Sequence, residues 1–125
     1  MKFHHLGISV LEKLPGMQFA ECMKVWFTSP STVPYNVEFV HLEPHFPPTV
    51  CKPRGDVSVE FVYFEPDSPM AAAVQSGVHV AYVVDDIEAA IKDKSVLWPI
   101  TEVAPGLKIA FIYDGGLAVE LMQMG

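Results

Sequence analysis

His5-Leu6-Gly7-Ile8-Ser9-Val10 and His79-Val80-Ala81-Tyr82-Val83-Val84 are two versions of one short pattern. Each is a histidine that opens a strand-like apolar run. A second pair follows the same rule: Ser58-Val59-Glu60-Phe61-Val62 and Ala118-Val119-Glu120-Leu121-Met122 each set a glutamate inside such a run. Two histidines and two glutamates therefore occupy matching places in two half-length modules. Self-similarity of this kind decides the architecture before any local reading does. It predicts a first module over residues 1–66, a connector over 67–76 and a second module over 77–125, sharing one domain.

The spacing of the remaining residues fills in each module. Lys2 to Val10, Met23 to Thr28, Asn36 to Glu43 and Val57 to Glu65 read as the strands of the first half. Leu11 to Cys22 stands where a helix is due, but Pro15-Gly16 breaks it. Ser29 to Thr32 reads as a turn, and Pro44, Pro47, Pro48 and Pro53 mark a proline-rich loop. In the connector, Ser68-Pro69 suits a helix start, with one or two turns over Met70 to Val74, placed outside any cleft. Gly77 to Val84 is the next strand. Asp85 to Lys94 carries the best helix signal: Asp85 with Glu88 as a capping box, and an apolar stripe of Ile87, Ala90 and Ile91. Strands over Val96–Val103, Leu107–Asp114 and Leu117–Gln123 complete the chain, with turns at Pro105-Gly106 and Gly115-Gly116. The fold class is α+β: two βαβββ modules, the first with a degraded helix, forming a curved mixed sheet around one cleft.

Composition narrows the function. Of 125 residues, 50% are hydrophobic and 18% charged, enough apolar surface for a packed core. A net charge of −7, with Arg54 the only arginine, disfavours nucleic acid and anionic membrane as partners. Cys22 and Cys51 are too few for a disulfide framework. No stretch approaches the roughly 20 apolar residues of a membrane span, and no signal-peptide pattern is evident. The expectation is a cytoplasmic protein that acts on a small molecule and assembles as a homodimer.

The four repeated residues carry the chemistry. Side chains alternate faces along a strand, so His5 shares its face with Gly7 and Ser9, and His79 with Ala81. Glu60 is flanked on its face by Ser58, and Glu120 by Ala118. Small neighbours leave room beside each polar group, while the opposite faces of the same strands are large and apolar, as a core requires. Two carboxylates aimed into one cavity repel each other and lose hydration. A divalent cation offsets both costs, and a set of two imidazoles and two carboxylates suits Zn, Ni, Co, Mn or Fe. Convergence of His5, Glu60, His79 and Glu120 on one ion, with donor atoms about 2.0–2.3 Å from it, is expected.

With these stretches in hand, and with Phe3-His4 before the first and Ile109 to Gly116 before the last, the chain resembles the vicinal oxygen chelate superfamily. That group includes glyoxalase I, methylmalonyl-CoA epimerase, extradiol dioxygenases and bleomycin-resistance proteins. The second half matches almost end to end; the first matches at its first and fourth strands. The resemblance implies metal ligands at His5, Glu60, His79 and Glu120. Glutamate at the second ligand place is like glyoxalase I. It implies an isomerase, epimerase or lyase acting on a small carbonyl substrate through a metal-stabilised enolate, with Glu60 or Glu120 as the base. The chain departs from glyoxalase I in lacking the arginines that hold glutathione, and it has few cations for coenzyme A. A non-catalytic binder of antibiotic type and an Fe(II) dioxygenase are the alternatives.

Other residues are weaker candidates. His4 points to the face opposite His5 and reads as structural. His41 and His45, four apart on a strand ending at Pro44, lack a shared ligand geometry. Glu38 and Glu43 are candidate supporting groups or bases. Met122 and Met124 share the Glu120 face and are placed to line a pocket, fill a core or make a dimer contact. Trp26 and Trp98 fall on strands as sheet-face or interface aromatics.

Overall fold

The computed structural model of the protein describes residues 1–34 and 56–125. The expected strand over Asn36–Glu43, the proline-rich loop, and Glu38, His41, Glu43 and His45 lie outside the described residues. Nine strands are described: β1 (Lys2–Ser9), β2 (Gln18–Ala20), β3 (Val25–Phe27), β4 (Ser31–Pro34), β5 (Asp56–Phe64), β6 (Val78–Val83), β7 (Ser95–Ala104), β8 (Leu107–Asp114) and β9 (Leu117–Met124). They form one curved mixed sheet in the order β2-β3-β5-β1-β6-β9-β8-β7, with β4 also paired to β5. Two single-turn helices, α1 (Ala72–Gln75) and α2 (Ile87–Ala90), and a 3-10 turn are described beside them. No described helix is long and apolar enough to cross a membrane.

The order repeats about the centre. β1 runs parallel to β5, β6 runs parallel to β9, and β1 and β6 are antiparallel to each other. The opening strand of each half therefore lies beside its own closing strand, and the two opening strands meet in the middle. This puts the four repeated stretches on the four central strands. Gly115 and Gly116 supply the two positive φ angles, 61° and 84°, of the tight turn joining β8 to β9.

The halves diverge outside this centre. Among the described residues, β1 is followed by irregular chain and β2, with only a 3-10 turn (Glu21–Met23) before β3. Pro15 and Gly16, the latter at φ 80°, occupy the place of a helix. In the second half α2 is shorter than the expected Asp85–Lys94. Its cap is Asp86 rather than Asp85: one carboxylate oxygen accepts from the Glu88 and Ala89 amides at 3.1 and 3.2 Å. The backbone bonds then tighten to three-residue spacing at Lys92 and Lys94, and Asp93 turns left-handed at φ 62°. Residues 29–32, expected as a turn, already enter β4 at Ser31.

Apolar residues pack on both faces of the sheet, not only on the face away from the repeated histidines. One cluster joins Ile87 of α2 to Val84, Ala110, Ile112, Val119 and Leu121. The other lies on the histidine side and includes Met23, Val25, Val62, Met70, Ile109, Phe111 and Met122. Residues 109–112 of β8 alternate between the two clusters, which is why that strand is apolar without interruption.

The connector also departs from expectation. It was expected outside the cleft, yet Met70 and Val74 are 4% and 1% exposed within the histidine-side cluster. Ser68 Oγ donates to the Met23 carbonyl at 2.6 Å, and Gln75 Nε2 donates to the Met70 carbonyl at 2.7 Å. The Ser9 amide donates to Gly77 O at 3.0 Å, and Lys24 pairs with Asp67. Because Met70 and Val74 need burial, these bonds fold the connector over the concave face instead of leaving it in solvent.

Candidate metal centre

Strand register assembles the site. One cross-strand row reads Glu60, Gly7, His79 over β5, β1 and β6. The next reads His5, Ala81, Glu120 over β1, β6 and β9. Each row has an ionisable group at either end and a very small residue between. The small residue is a steric requirement in the first row. A Cβ added at Gly7 would come under 3.0 Å from three atoms of the His79 ring.

All four ionisable residues line one cavity, of about 740 Å³ including its open mouth. His5 and His79 are 1% and 2% exposed, and Glu120 7%. His5 Nε2 lies 3.4 Å from Oε1 of both Glu60 and Glu120, and His79 Nε2 lies 3.1 Å from Glu120 Oε1. Ligand atoms of His5, His79 and Glu120 all fall within 4.8 Å of one another, close enough for this trio to hold a metal ion. Glu60 touches His5 from the side, and its side chain is the more open of the two carboxylates, 15% exposed against 10%.

The electrostatics fit a cation-binding place. Burial opposes a charge on His5, but the pull of Glu120 and Glu60, each 3.4 Å from its Nε2, outweighs it and raises its pKa to about 9. Burial likewise opposes ionisation of Glu120, while His5 and His79 overcome it and lower its pKa to about 2. His5 Nε2 and His79 Nδ1 are buried without a hydrogen-bond partner of good geometry. Buried imidazole nitrogens are normally satisfied. His5 Nε2, unpartnered and facing both carboxylates, with His79 Nε2 on Glu120, matches what an imidazole–carboxylate metal site presents, so the residues fit the group.

His4 has a place that sequence reasoning missed. The pairing of β1 with β6 slips between Phe3 and His5, so His4 is the extra residue of a bulge. The slip brings His4 Nδ1 to 2.7 Å from His5 Nδ1. One nitrogen donates and the other accepts, which leaves His5 Nε2 turned toward the carboxylates. Only the adjacency of the two histidines hinted at this. Met70 was missed as a cavity-lining residue too; its four-residue spacing from Val74 is the signal that marks a one-sided apolar pair. Met122 lines the cavity as expected of one of the two methionines, while Met124 is 52% exposed. Trp26 and Trp98 lie on β3 and β7.

One solved structure shares this fold. A hypothetical protein from Bacillus halodurans aligns with a TM-score of 0.58 at 18% identity, over 99% of this chain and 94% of its own. A glyoxalase family protein from Bacillus cereus aligns over the same shares at 12% identity, but its TM-score of 0.38 is too low to carry weight. The first likeness establishes a common fold and nothing about activity. No protein-family model matches the chain, and no curated protein does.

Proposed function

We propose that the protein is a glyoxalase-like, metal-dependent isomerase, epimerase or lyase acting on a small carbonyl substrate. The observation that carries this reading is the convergence of His5, His79 and Glu120 within 4.8 Å in the lining of one cavity, with Glu60 against His5. In this reading His5, Glu60, His79 and Glu120 hold a divalent cation: Zn, Ni, Co, Mn or Fe. When bound, such an ion polarises a carbonyl and stabilises the negative charge that develops as a proton leaves the neighbouring carbon.

The chain's own residues do the rest. The two imidazoles, fixed by β1 and β6 and flanked by Gly7 and Ala81, orient the substrate's reacting end. Glu120, buried and held ionised, supplies fixed negative charge in the lining. Glu60 contacts His5 and stands nearer the opening, where it can take a proton from a substrate carbon and return it on the same or another face. Both carboxylates thus serve as ligands, and either can act as base. The apolar walls exclude water from the proton in transit.

The test is metal analysis of protein purified without added metal, beside His79→Ala and Glu120→Gln. About one ion per chain is expected, with at least tenfold weaker binding in either variant. Metal-dependent deuterium uptake from solvent into one of a panel of 2-hydroxy- or 2-oxo-carbonyl compounds, abolished by chelator, would place the proton transfer. Retention of metal with loss of exchange in Glu120→Gln assigns the base role to Glu120. A chain that takes up no metal under any loading condition ends the reading.

A further inference from the structure

We propose that the body of the ligand in this cavity is apolar and uncharged, and that anionic molecules are turned away. The inference deepens the metal-dependent reading by naming a substrate class, but it stands on the cavity walls rather than on the ion. Apart from His5, Glu60, His79 and Glu120, every described lining residue is apolar. Met23, Phe27, Met70, Leu107 and Phe111 are among them, drawn from both halves and from the connector. No lysine or arginine is among the described lining residues. Three described lysines are engaged elsewhere: Lys24 with Asp67, Lys94 with Asp114, and Lys13 4.0 Å over the Trp26 ring.

In the metal-free chain an anion entering such a place would lose hydration, gain no counter-charge from the described walls and meet two carboxylates; with a cation bound, only an oxygen that reaches the ion itself would gain a counter-charge. A neutral apolar body loses only its ordered water and gains contact with flexible thioethers and aromatic edges. Met23, Met70 and Met122 can adjust to the outline of different bodies, so the walls select by polarity more than by shape. Among the described residues nothing away from the ion offers a counter-charge to a phosphate or carboxylate handle buried in the cleft. The lining favours molecules with their oxygens grouped at one end and an alkyl or aryl remainder.

The test uses the full chain, first stripped of metal with chelator. N-phenyl-1-naphthylamine, a neutral dye, should bind with a rise in fluorescence. The 1-alkanols from butanol to octanol should displace it with affinity increasing about fourfold per added methylene. The matching alkanoates should be at least tenfold weaker. Met70→Gln and Leu107→Gln lie on different segments, and each should weaken dye and alkanol binding at least tenfold; circular dichroism identifies a variant that has lost its fold. The experiment is then repeated with cobalt-loaded protein and n-alkyl hydroxamic acids, reading the visible cobalt spectrum. The same chain-length dependence is expected. Affinity independent of chain length, alkanoates binding as well as alkanols, or indifference to both substitutions would overturn the proposal. Failure to take up cobalt while the dye series holds would instead overturn the metal-dependent reading and leave the apolar cavity standing.

Discussion

Gly7 shows how one atom decides whether the site exists. It sits in register between Glu60 and His79, and the His79 ring occupies the volume its Cβ would need. The ring is 2% exposed and packed edge-on to Phe111 at 5.2 Å, so it has nowhere to retreat. Gly7→Ala should cost about 2–3 kcal/mol of stability by overpacking, and metal affinity should fall with it because His79 is displaced. Denaturant midpoints measured beside metal stoichiometry check both. Ala81→Gly, in the matching row, removes a methyl without a clash and should leave metal uptake near normal, since the space above His5 and Glu120 only grows.

At the level of elements, the two faces of the sheet have separate duties. α2 packs on the face away from the cavity, through Ile87 against Ala110, Ile112, Val119 and Leu121. Its start depends on Asp86, which satisfies two amide donors that the first turn leaves free. Asp86→Ala should therefore destabilise the protein by about 1 kcal/mol. Metal uptake should not change, because β8 and β9 are buried on both faces and still separate the helix from the site. A parallel loss of metal would mean that the strands transmit the disturbance. The connector behaves differently: Met70 lines the cavity, so disturbing it reaches ligand binding directly.

For the whole molecule, the central charges tie stability and metal affinity to pH in opposite ways. His5 is raised from 6.5 to about 9, so its contribution to the metal-free fold is fully present below about pH 6.5 and is lost as pH rises through about 9. Glu120 is lowered from 4.5 to about 2, so its contribution is present above about pH 4.5 and is lost as pH falls through about 2. These are two views of one interaction and count once. The metal-free protein should be most stable from this source between about pH 4.5 and 6.5. Metal must displace the His5 proton, so its apparent affinity should rise about tenfold per pH unit from pH 7 toward 9. Thermal melts of chelated protein and metal titrations across that range check the two slopes. Equal affinity at pH 7 and 9 would show that His5 is not a ligand.

The repeated His and Glu stretches were enough to derive the four central strands, because the period of two within each run and the recurrence of the runs in both halves can be read from the sequence without knowing any contact. Alternation also put each ionisable residue on the same face of its own strand as its small neighbours; that the four faces coincide follows from the strand pairing. Tertiary structure alone decided what lies between them. Gly7 and Ala81 were legible as small, but not as the middles of two rows, because register is set by partner strands far along the chain. The slip that brings His4 onto His5 depends on the same pairing. The truncation of α2 is a competition between local caps and the packing of Ile87, which no window of sequence weighs. The connector's inward turn likewise follows from burial of Met70 and Val74, whose apolar partners come from other strands. Alternation along a strand is dictated by covalent geometry and is therefore written in the chain, whereas register, closure and cavity walls depend on contacts between residues that meet only when the sheet curves shut.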